Sequence, residues 1–258
     1  MNLQLENKTA LITGSTKGIG FAIARALAAE GAKIILNGRT DASVDAAVRK
    51  IGQGARGIVA DLSDATGCAK VVEQAGPIDI LINNAGIFEP KPFAEIPDAD
   101  WERFYQVNVM AAIRLTRAFF PPMLQRNWGR VIFISSESGI QIPEEMIHYG
   151  MTKAAEIALV NGLARLTRGT AVTVNAVLPG PTASEGVTDF VGALAATAQQ
   201  SPAEFEKEFF RSVRPTSLLQ RFASVDEIAH TVTYLASPLA SATNGAAVRA
   251  DGGVLRAT

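Results

Sequence analysis

Short apolar runs and amphipathic segments alternate along almost the whole chain. The runs at residues 8–13 and 33–38 are each followed by a segment whose apolar residues recur every three or four positions. Short apolar runs predict buried strands, and the wider spacing predicts helices with one apolar face. Because strands and helices alternate, the sequence predicts an α/β fold in which a parallel sheet has right-handed crossovers and helices on both faces.

The same alternation continues to the end of the chain. Strands are predicted at residues 8–13, 33–38, 55–62, 78–86, 131–134, 171–180 and 246–250, and helices at 21–31, 43–51, 63–75, 98–125, 149–167 and 225–236. Pro121 and Pro122 are expected to interrupt the longest helix near its end. A polar, helix-prone stretch at about 184–214 is predicted to form a lid over the substrate. No repeat or linker divides the sequence, so residues 1–258 are predicted to form a single domain.

Composition and charge narrow the class of protein. The 258 residues are 48% hydrophobic, which suffices for a full core, and a formal net charge of -1 without a basic tract argues against nucleic-acid and membrane partners. Cys68 stands alone, so no intrachain disulfide can form. Since no signal-like or membrane-spanning apolar run occurs, a cytoplasmic protein is expected. His148 and His230 are too few and too far apart to indicate a metal site.

A glycine-rich turn lies between the first strand and the first helix. Gly14, Gly18 and Gly20 in the sequence TGSTKGIG let the backbone bend sharply and approach a ligand closely. The helix that follows offers free N–H groups and the positive end of its dipole, which suit phosphate. A glycine-rich string alone is common, but its position between a strand and an amphipathic helix predicts a dinucleotide site.

The residues after the second strand indicate which dinucleotide is preferred. A carboxylate there binds the ribose hydroxyls of NAD, whereas this chain has Asn37, Gly38 and Arg39. Arg39 and Lys17 are two cations that can meet a 2′-phosphate at that corner. The sequence therefore predicts a preference for NADP(H), with NAD(H) possible and a solvated Arg39 as the alternative reading of that residue.

Polar and small side chains end the third and fourth strands. Asp61 is placed either to accept a hydrogen bond from an adenine amino group or to cap the helix near Ser63. Residues 83–86, Asn-Asn-Ala-Gly, suit a backbone pressed against a cofactor and tie adjacent strands together.

Asn108 lies in the apolar middle of the longest helix, where an amide needs partners. It is predicted either to kink the helix and bind water near a lysine or to be a satisfied core amide.

The strongest chemical signal is the stretch at residues 131–153. Tyr149 and Lys153 are four positions apart, so they share one face of the predicted helix. Ser136 ends the preceding strand, where open α/β sheets place their sites. Because an ammonium group favours a neighbouring phenolate, Lys153 is predicted to lower the pKa of Tyr149 into a range useful for acid–base chemistry. An ordinary surface pair is the alternative, and the adjacent His148 either faces the substrate or is structural.

Several motifs occur together in one order. They are TGSTKGIG at 13–20, NNAG at 83–86, Asn108, Ser136, YGMTK at 149–153, PG at 179–180 and DGG at 251–253. This combination resembles the classical short-chain dehydrogenase/reductase family nearly from end to end. The resemblance implies a Rossmann-type, doubly wound sheet of about seven strands. It also implies NAD(P)(H)-dependent, reversible hydride transfer between a nicotinamide and a carbonyl or secondary alcohol.

The resemblance assigns roles to individual residues. It implies a catalytic tetrad of Ser136, which holds the carbonyl oxygen, Tyr149, which exchanges its proton, Lys153, which binds the nicotinamide ribose, and Asn108, which anchors a water. The implied cofactor contacts are Gly14, Ser15, Thr16, Lys17, Gly18, Ile19, Gly20, Asp61, Leu62, Asn84, Ala85, Gly86, Tyr149, Lys153, Pro179, Gly180 and Thr182, to which the charge argument above adds Arg39. No metal is implied. Ser184 competes with Thr182 for the nicotinamide carboxamide, and Thr182 is favoured.

Two other functions fit the same motifs. One is a catalytically silent NADP(H)-binding sensor or scaffold protein, and the other is an epimerase or dehydratase that keeps the cofactor. The motifs leave the substrate open among a 3-oxoacyl thioester, a sugar and another ketone. Specificity lies outside them, in the loop after Phe88, residues 140–147 and the lid. Family members associate through their long central helices, so a homotetramer is expected, with a dimer second.

Overall fold

A computed structural model describes residues 2–52, 54–185 and 201–256. Its strands are β1 Thr9–Ile12, β2 Lys33–Gly38, β3 Ala55–Val59, β4 Ile80–Asn83, β5 Gly129–Ile134, β6 Val172–Pro179, β7 Thr182–Ala183, β8 Ala223–Ser224 and β9 Ala247–Ala250. Seven of these form one parallel sheet in the order β3-β2-β1-β4-β5-β6-β9, and β7 pairs with β8 separately. The strand order reverses between β1 and β4, which confirms the predicted doubly wound sheet.

Helices cover both faces of the sheet. They are α1 Gly18–Ala29, α2 Asp41–Ile51, α3 Ala65–Ala75, α4 Asp98–Phe104, α5 Ala111–Gln125, α6 Ile147–Arg165, α7 Pro202–Ser212 and α8 Val225–Ala236. Successive residues of a strand point to opposite faces. In β1, Leu11 therefore joins the core under α3, α5 and α6, and Ile12 joins the core under α1 and α8.

Helix α3 begins at Ala65, later than the predicted start at Ser63. Its N-cap is Asp64, whose carboxylate accepts a hydrogen bond from the N–H of Gly67 at 2.8 Å. Asp61 was the alternative cap, but its carboxylate accepts from the N–H of Ser63 at 2.9 Å instead. The capping bond, rather than the apolar periodicity, thus decides where this helix starts.

The helix predicted at residues 98–125 consists of α4, a π-helical stretch at Tyr105–Met110, and α5. Single π-helical turns are rare in proteins, and those that occur are often found at functional sites. Pro121 and Pro122 lie inside α5 rather than interrupting it. The two prolines are exposed, whereas Met123 is fully buried in the core and holds this last turn in place.

The predicted lid at residues 184–214 is described in part, since residues 186–200 lie outside the described residues. Helix α7 begins at a capping box. The hydroxyl of Ser201 accepts from the N–H of Glu204, and the carboxylate of Glu204 accepts from the N–H of Ser201. A helix is therefore present in the predicted stretch, and its action as a lid stays a prediction.

Cys68 is buried in the core on the α3 side, where burial raises the pKa of its thiol. Among the described residues, no group of three His, Cys, Asp or Glu side chains is placed to hold a metal ion. Over the same residues, every helix is too short or too polar to cross a membrane.

Candidate active site

A cavity of about 510 Å³ opens at the carboxyl ends of β4, β5 and β6. Its lining includes Ser136, Tyr149 and Lys153 together with Gly86 and Thr182. Parallel open sheets place their ligands at this edge, near the point where the strand order reverses. Residues that are far apart in the sequence therefore share one cleft.

One wall of this cavity is apolar and aromatic. Phe205 and Phe209 of α7 contribute to it, and the ring of Phe209 stacks on Phe222 with 5.2 Å between the ring centres. On the other side, Phe88 meets the ring of Tyr149 edge-on at 6.4 Å. The space in front of Tyr149 therefore suits the apolar part of a substrate.

The glycine turn packs closely against the end of β4. The side-chain nitrogen of Asn84 donates to the carbonyl oxygens of Thr13 and Gly14 at 2.9 and 3.0 Å. A Cβ on Gly20 would lie 2.4 Å from that nitrogen, so a larger residue there would displace Asn84. Gly14 has a φ of 59°, in the left-handed region that favours glycine. The turn is thus fixed at the edge of the cavity.

Asn37 and Ser15 hold the turn from the other side. Asn37 Oδ1 accepts from the N–H of Gly14 at 3.3 Å, and Nδ2 donates to the carbonyl oxygens of Ile58 and Ala60 at 3.2 and 3.1 Å. The hydroxyl of Ser15 donates to a carbonyl oxygen of β1 at 2.7 Å, and its N–H donates to the carbonyl of Asn37. Both donors of Ser15, a predicted cofactor contact, are therefore bound within the chain.

The N-terminus of α1 binds an anionic group of the chain itself. The N–H of Gly18 donates to a carboxylate oxygen of Glu185 at 2.7 Å. Here the carboxylate stands in for a phosphate oxygen, since the free N–H groups and the helix dipole favour either anion. The turn therefore fits the pyrophosphate of a dinucleotide.

The other predicted cofactor contacts divide by exposure. The exposed ones include Lys17, Arg39 and Asp61, and the buried ones include Leu62 and Thr182. Lys17 follows β1 and Arg39 follows β2, and these strands are neighbours, so both cations lie at the same edge of the sheet. The hydroxyl of Thr182 donates to the carbonyl oxygen of Gly180 at 2.8 Å, which ties it to the end of β6.

A carboxylate binds the hydroxyl of Ser136. The hydroxyl donates to Glu137 Oε2 at 2.5 Å, and the same oxygen accepts from the N–H and the hydroxyl of Ser138 at 2.8 and 3.1 Å. Glu137 Oε1 accepts from Nε of Arg214 at 3.2 Å, and Nη1 of Arg214 bonds Glu145 at 3.2 Å. Glu137, Arg214 and Glu145 thus form a charged corner next to Ser136.

Lys153 is held by two groups of α6 and β5. Its Nζ donates to the carbonyl oxygen of Ile134 at 2.9 Å and to both carboxylate oxygens of Glu156 at 3.1 Å each. Lys153 and Glu156 are only 4% and 1% exposed. Burial raises the pKa of the Glu156 carboxyl to about 7, although the ammonium group of Lys153 opposes that rise.

The prediction that Lys153 lowers the pKa of Tyr149 is wrong for this structure. Burial raises the pKa of Tyr149 above its ordinary value, and the charge of Glu137 raises it further. A hydrogen bond with Ser136 opposes this rise, and the charge of Glu156 adds to it. Lys153 Nζ lies 5.8 Å from the centre of the Tyr149 ring, and its charge is balanced by Glu156. The phenol of this chain is therefore protonated at neutral pH.

Asn108 lies in the π-helical stretch and is fully hydrogen-bonded. Its Oδ1 accepts from the N–H of Ile87 at 2.8 Å, and Nδ2 donates to the carbonyl of Ile87 and the hydroxyl of Thr152 at 3.0 and 2.9 Å. A Cβ on Gly86 would lie 3.5 Å from both Asn108 Oδ1 and Lys153 Nζ, so the amide and the ammonium group are close together. Asn108 is both a satisfied core amide and a neighbour of Lys153.

Sequence reasoning does not place three charged residues in the site. Glu156 follows Lys153 by three positions, which is an ion-pair spacing on a helix and a usable signal. Glu137 stands inside a serine-rich strand exit, and no local signal pairs it with Arg214. Their contact is tertiary, because it joins the end of β5 to the segment after α7.

His148 belongs to the core and does not line the cavity. It is 0% exposed, and its ring packs against Phe104 and Trp101 with 4.0 and 5.8 Å between the ring centres. Among the described residues, neither ring nitrogen has a hydrogen-bond partner. Burial lowers the pKa of His148, although the charge of Asp100 opposes this. The alternative that His148 faces the substrate is therefore wrong.

The sequence and the fold have counterparts among known proteins. A family model described as short chain dehydrogenase matches residues 8–193, more than half of the chain. The chain belongs to the short chain dehydrogenase family and is an oxidoreductase of that family. This confirms the family to which its motifs pointed.

The chain is similar to several oxidoreductases whose names differ. "Uncharacterized oxidoreductase YvrD" of Bacillus subtilis (strain 168) is 47% identical over 261 residues, covering 99% of both chains. The D-beta-hydroxybutyrate dehydrogenase of Cupriavidus necator is 35% identical, covering 96% of this chain and 98% of that protein. The structure of L-sorbose reductase from Gluconobacter frateurii, complexed with NADPH and L-sorbose, matches with a TM-score of 0.94 at 30% identity and covers 100% of both chains.

Replacing His148 by phenylalanine should stabilise the protein, most strongly in acid. The folded chain resists protonation of His148 because its pKa is lowered, whereas the unfolded chain takes up a proton near the ordinary pKa of about 6.5. The stability of the wild-type protein therefore falls as the pH drops below about 6.5, by up to about 1.4 kcal/mol per pH unit. His148→Phe removes this loss, and urea unfolding at about pH 8 and about pH 5.5 measures it.

The exposed His230 provides the control for this prediction. His230→Gln should leave the pH dependence of unfolding as it is in the wild type. If His148→Phe loses stability in acid as steeply as the wild type does, the buried imidazole is not the group responsible.

Proposed function

We propose that the protein is an NADP(H)-dependent oxidoreductase that catalyses reversible hydride transfer between the nicotinamide and a carbonyl or secondary alcohol. One observation carries this proposal. Ser136, Tyr149 and Lys153 line the same cavity as Asn84 and Ile19, which border the anion-binding glycine turn. The cavity therefore joins a site for phosphate to a group that can exchange a proton.

When bound, NADP(H) supplies or takes the hydride. In the proposed reaction the protonated Tyr149 donates to the carbonyl oxygen during reduction, and its phenolate takes the hydroxyl proton during oxidation. Ser136 donates to the same oxygen once its proton turns away from Glu137. Glu137 keeps Ser138 and Arg214 as partners in that state, so its charge stays compensated.

The residues that would hold the cofactor come from the start of α1, from α6 and from β7. The N–H of Gly18 is the proposed partner of the pyrophosphate, because it already binds a carboxylate. Lys153 is proposed to hold the nicotinamide ribose, and Thr182 is proposed to meet its carboxamide. Both residues line the same cavity as Tyr149, which supports these roles.

The alternative functions have less support. A silent sensor or scaffold needs no proton-exchanging group, whereas Ser136, Tyr149 and Lys153 line one cavity in this chain, which supports the proposed reaction. An epimerase or dehydratase uses the same residues and stays the second candidate. Net oxidation of NADPH in proportion to substrate distinguishes the proposed reductase from both.

A preference for NADP(H) is supported by the charges at the ends of β1 and β2. Lys17 and Arg39 are exposed at this edge, where a 2′-phosphate would gain two cationic partners. Asn37, near the end of β2, has an amide where a carboxylate would bind the ribose hydroxyls. Its side-chain N–H groups donate to the carbonyl oxygens of Ile58 and Ala60. The edge therefore suits a phosphorylated ribose.

The net charge of the corner formed by Glu137, Arg214 and Glu145 favours a substrate without a negative charge. Glu137 and Glu145 share the single guanidinium group of Arg214, which leaves one net negative charge beside Ser136. A carboxylate on the substrate would be repelled there, since buried charges of like sign interact strongly. A 3-oxoacyl thioester, a sugar or another ketone all present an uncharged group to this corner.

We also infer that copies of the chain associate through α5 and α6. These helices border an apolar surface groove lined by Ile113, Phe120, Leu159 and Leu163. Apolar surface of this kind is stabilised when a partner covers it. A homotetramer is the proposed assembly, with a dimer second. Sedimentation velocity at micromolar concentration should then show no monomer.

Replacing Tyr149 by phenylalanine should reduce turnover about 10²- to 10⁴-fold, because the ring keeps its packing but has no proton to exchange. Turnover is followed by NADPH absorbance with a panel of uncharged ketones. NADPH binding, followed by its fluorescence, should be largely kept. Tyr234→Phe changes an exposed tyrosine on α8 and should have no effect. Near-normal turnover of Tyr149→Phe would falsify the proton-transfer role.

The wild-type protein should bind NADPH about 10- to 100-fold more tightly than NADH, because charge-assisted contacts to a 2′-phosphate contribute about 1.5–3 kcal/mol. Arg39→Asp should abolish most of this difference by adding a repulsive charge. Arg49→Asp, an exposed arginine of α2, is the matched control and should keep it. A wild-type preference for NADH that Arg39→Asp does not alter would show that this edge does not bind the phosphate.

Ethyl acetoacetate should be reduced with at least about tenfold higher kcat/KM than acetoacetate, since repulsion of about 1.4 kcal/mol suffices for that factor. The two compounds share the reacting ketone and differ in the charged group. Glu137→Gln should bring the ratio closer to one, and Glu102→Gln, an exposed carboxylate of α4, should not. The ratio is measured within each variant, so any general loss of activity cancels. An equal or better rate with acetoacetate in the wild type contradicts the uncharged-substrate proposal.

A further inference from the structure

Glu156 is a buried carboxylate that contacts a predicted catalytic group without lining the cavity itself. It lies on α6 three residues after Lys153 and faces the end of β5. Both of its oxygens are 3.1 Å from the ammonium nitrogen. A carboxylate with 1% exposure needs a partner of this kind, since an isolated buried charge is strongly destabilised.

The bonds made by Lys153 engage all three of its N–H groups. An ammonium group has three donors, and here its acceptors are the carbonyl of Ile134 and the two oxygens of Glu156. A ribose hydroxyl bound by Lys153 would take one donor away from Glu156. The carboxylate therefore determines both where the ammonium group lies and how much of its charge is compensated.

The charges around Tyr149 come from three elements. Glu137 follows β5, Arg214 follows α7, and Lys153 and Glu156 lie on α6 together with the tyrosine. An ionised Glu156 cancels the charge of Lys153, and a protonated Glu156 leaves that charge free to favour the phenolate. Either ionisation, of Glu156 or of Tyr149, thus makes the other less favourable.

The immediate surroundings of Glu156 allow it to change protonation near neutrality. The ammonium group of Lys153 favours its ionised form, and burial opposes that form. Because burial dominates, the pKa of Glu156 lies at about 7, within the range where an oxidoreductase works.

We propose that Glu156 is a positioning residue for the reaction: by holding Lys153 in a buried ion pair, it sets the charge that Tyr149 experiences and hence the pH range in which Tyr149 exchanges its proton. This inference rests on the proposed function. Only protons move in this coupling, because Glu156 gains a proton in the state that favours the phenolate.

The test compares Glu156→Gln with the wild type in the direction of alcohol oxidation. Activity rises with pH as Tyr149 loses its proton, and the glutamine leaves the charge of Lys153 uncompensated. We expect the rise to move down by about one pH unit, which is about a tenfold gain in kcat/KM on the rising limb. Glu156→Asp keeps the charge and should restore most of the wild-type profile. Glu73→Gln, an exposed carboxylate of α3, should leave it unchanged.

A second readout needs neither turnover nor cofactor. The infrared C=O band of a protonated carboxyl group should titrate near neutral pH in the wild-type protein, be missing in Glu156→Gln and shift its midpoint in Glu156→Asp. The aspartate variant assigns the band if the glutamine variant does not fold. The absence of any carboxyl that titrates near neutrality would overturn the proposal.

The outcomes separate this inference from the proposed function. A wild-type protein that oxidises no alcohol and reduces no ketone refutes the proposed function, and the infrared titration then decides the pairing of Glu156 alone. A wild-type protein that turns over, with a Glu156→Gln variant that is slower at every pH and has an unmoved profile, refutes the positioning role. That pattern would mean that the ion pair only stabilises the fold.

Discussion

The candidate site depends on the contact between the end of β5 and helix α6. The hydroxyl of Ser135 donates to the carbonyl oxygen of Lys153 at 2.8 Å, and Lys153 Nζ donates to the carbonyl oxygen of Ile134 at 2.9 Å. These bonds run in opposite directions between strand and helix, so they fix the helix along its axis. Ser136 follows the strand, and Tyr149 lies one helical turn before the lysine. The same contact therefore sets where the serine and the tyrosine meet.

Two polar groups of this site, the hydroxyl of Ser136 and the ammonium group of Lys153, are each hydrogen-bonded to a carboxylate. Glu137 binds the hydroxyl of Ser136, and Glu156 binds the ammonium group of Lys153. In a cleft with little water these pairs compensate charges that would otherwise be destabilising. They also oppose ionisation of Tyr149, so the proton affinity of the phenol depends on groups beyond the tyrosine and lysine. A binding event that redirects either donor would change that affinity.

The parts of the fold that follow from local patterns were predictable. The strand runs and the covering helices agree with the predicted parallel sheet, and the reversal of strand order agrees with the doubly wound sheet that the family resemblance implied. The observed helix boundaries differ from the predicted ones where a packing contact or a capping bond outweighed the local sequence pattern. Pro121 and Pro122 do not end α5, because burial of Met123 holds the last turn. Asp64 moves the start of α3, because it caps the helix. Residue types at the glycine turn were recognisable, but the bonds that tie Asn37 into β3 were not.

The sequence by itself determined the class of fold and the family and predicted the residues of the tetrad, because these depend on periodicity and on short motifs that recur in one order along the chain. Only the tertiary structure decided that His148 is buried in the core, that Glu137 meets Arg214 and that the pKa of Tyr149 is raised rather than lowered. Burial and the field of charged groups are sums over neighbours brought together by folding, and a linear pattern does not contain those distances.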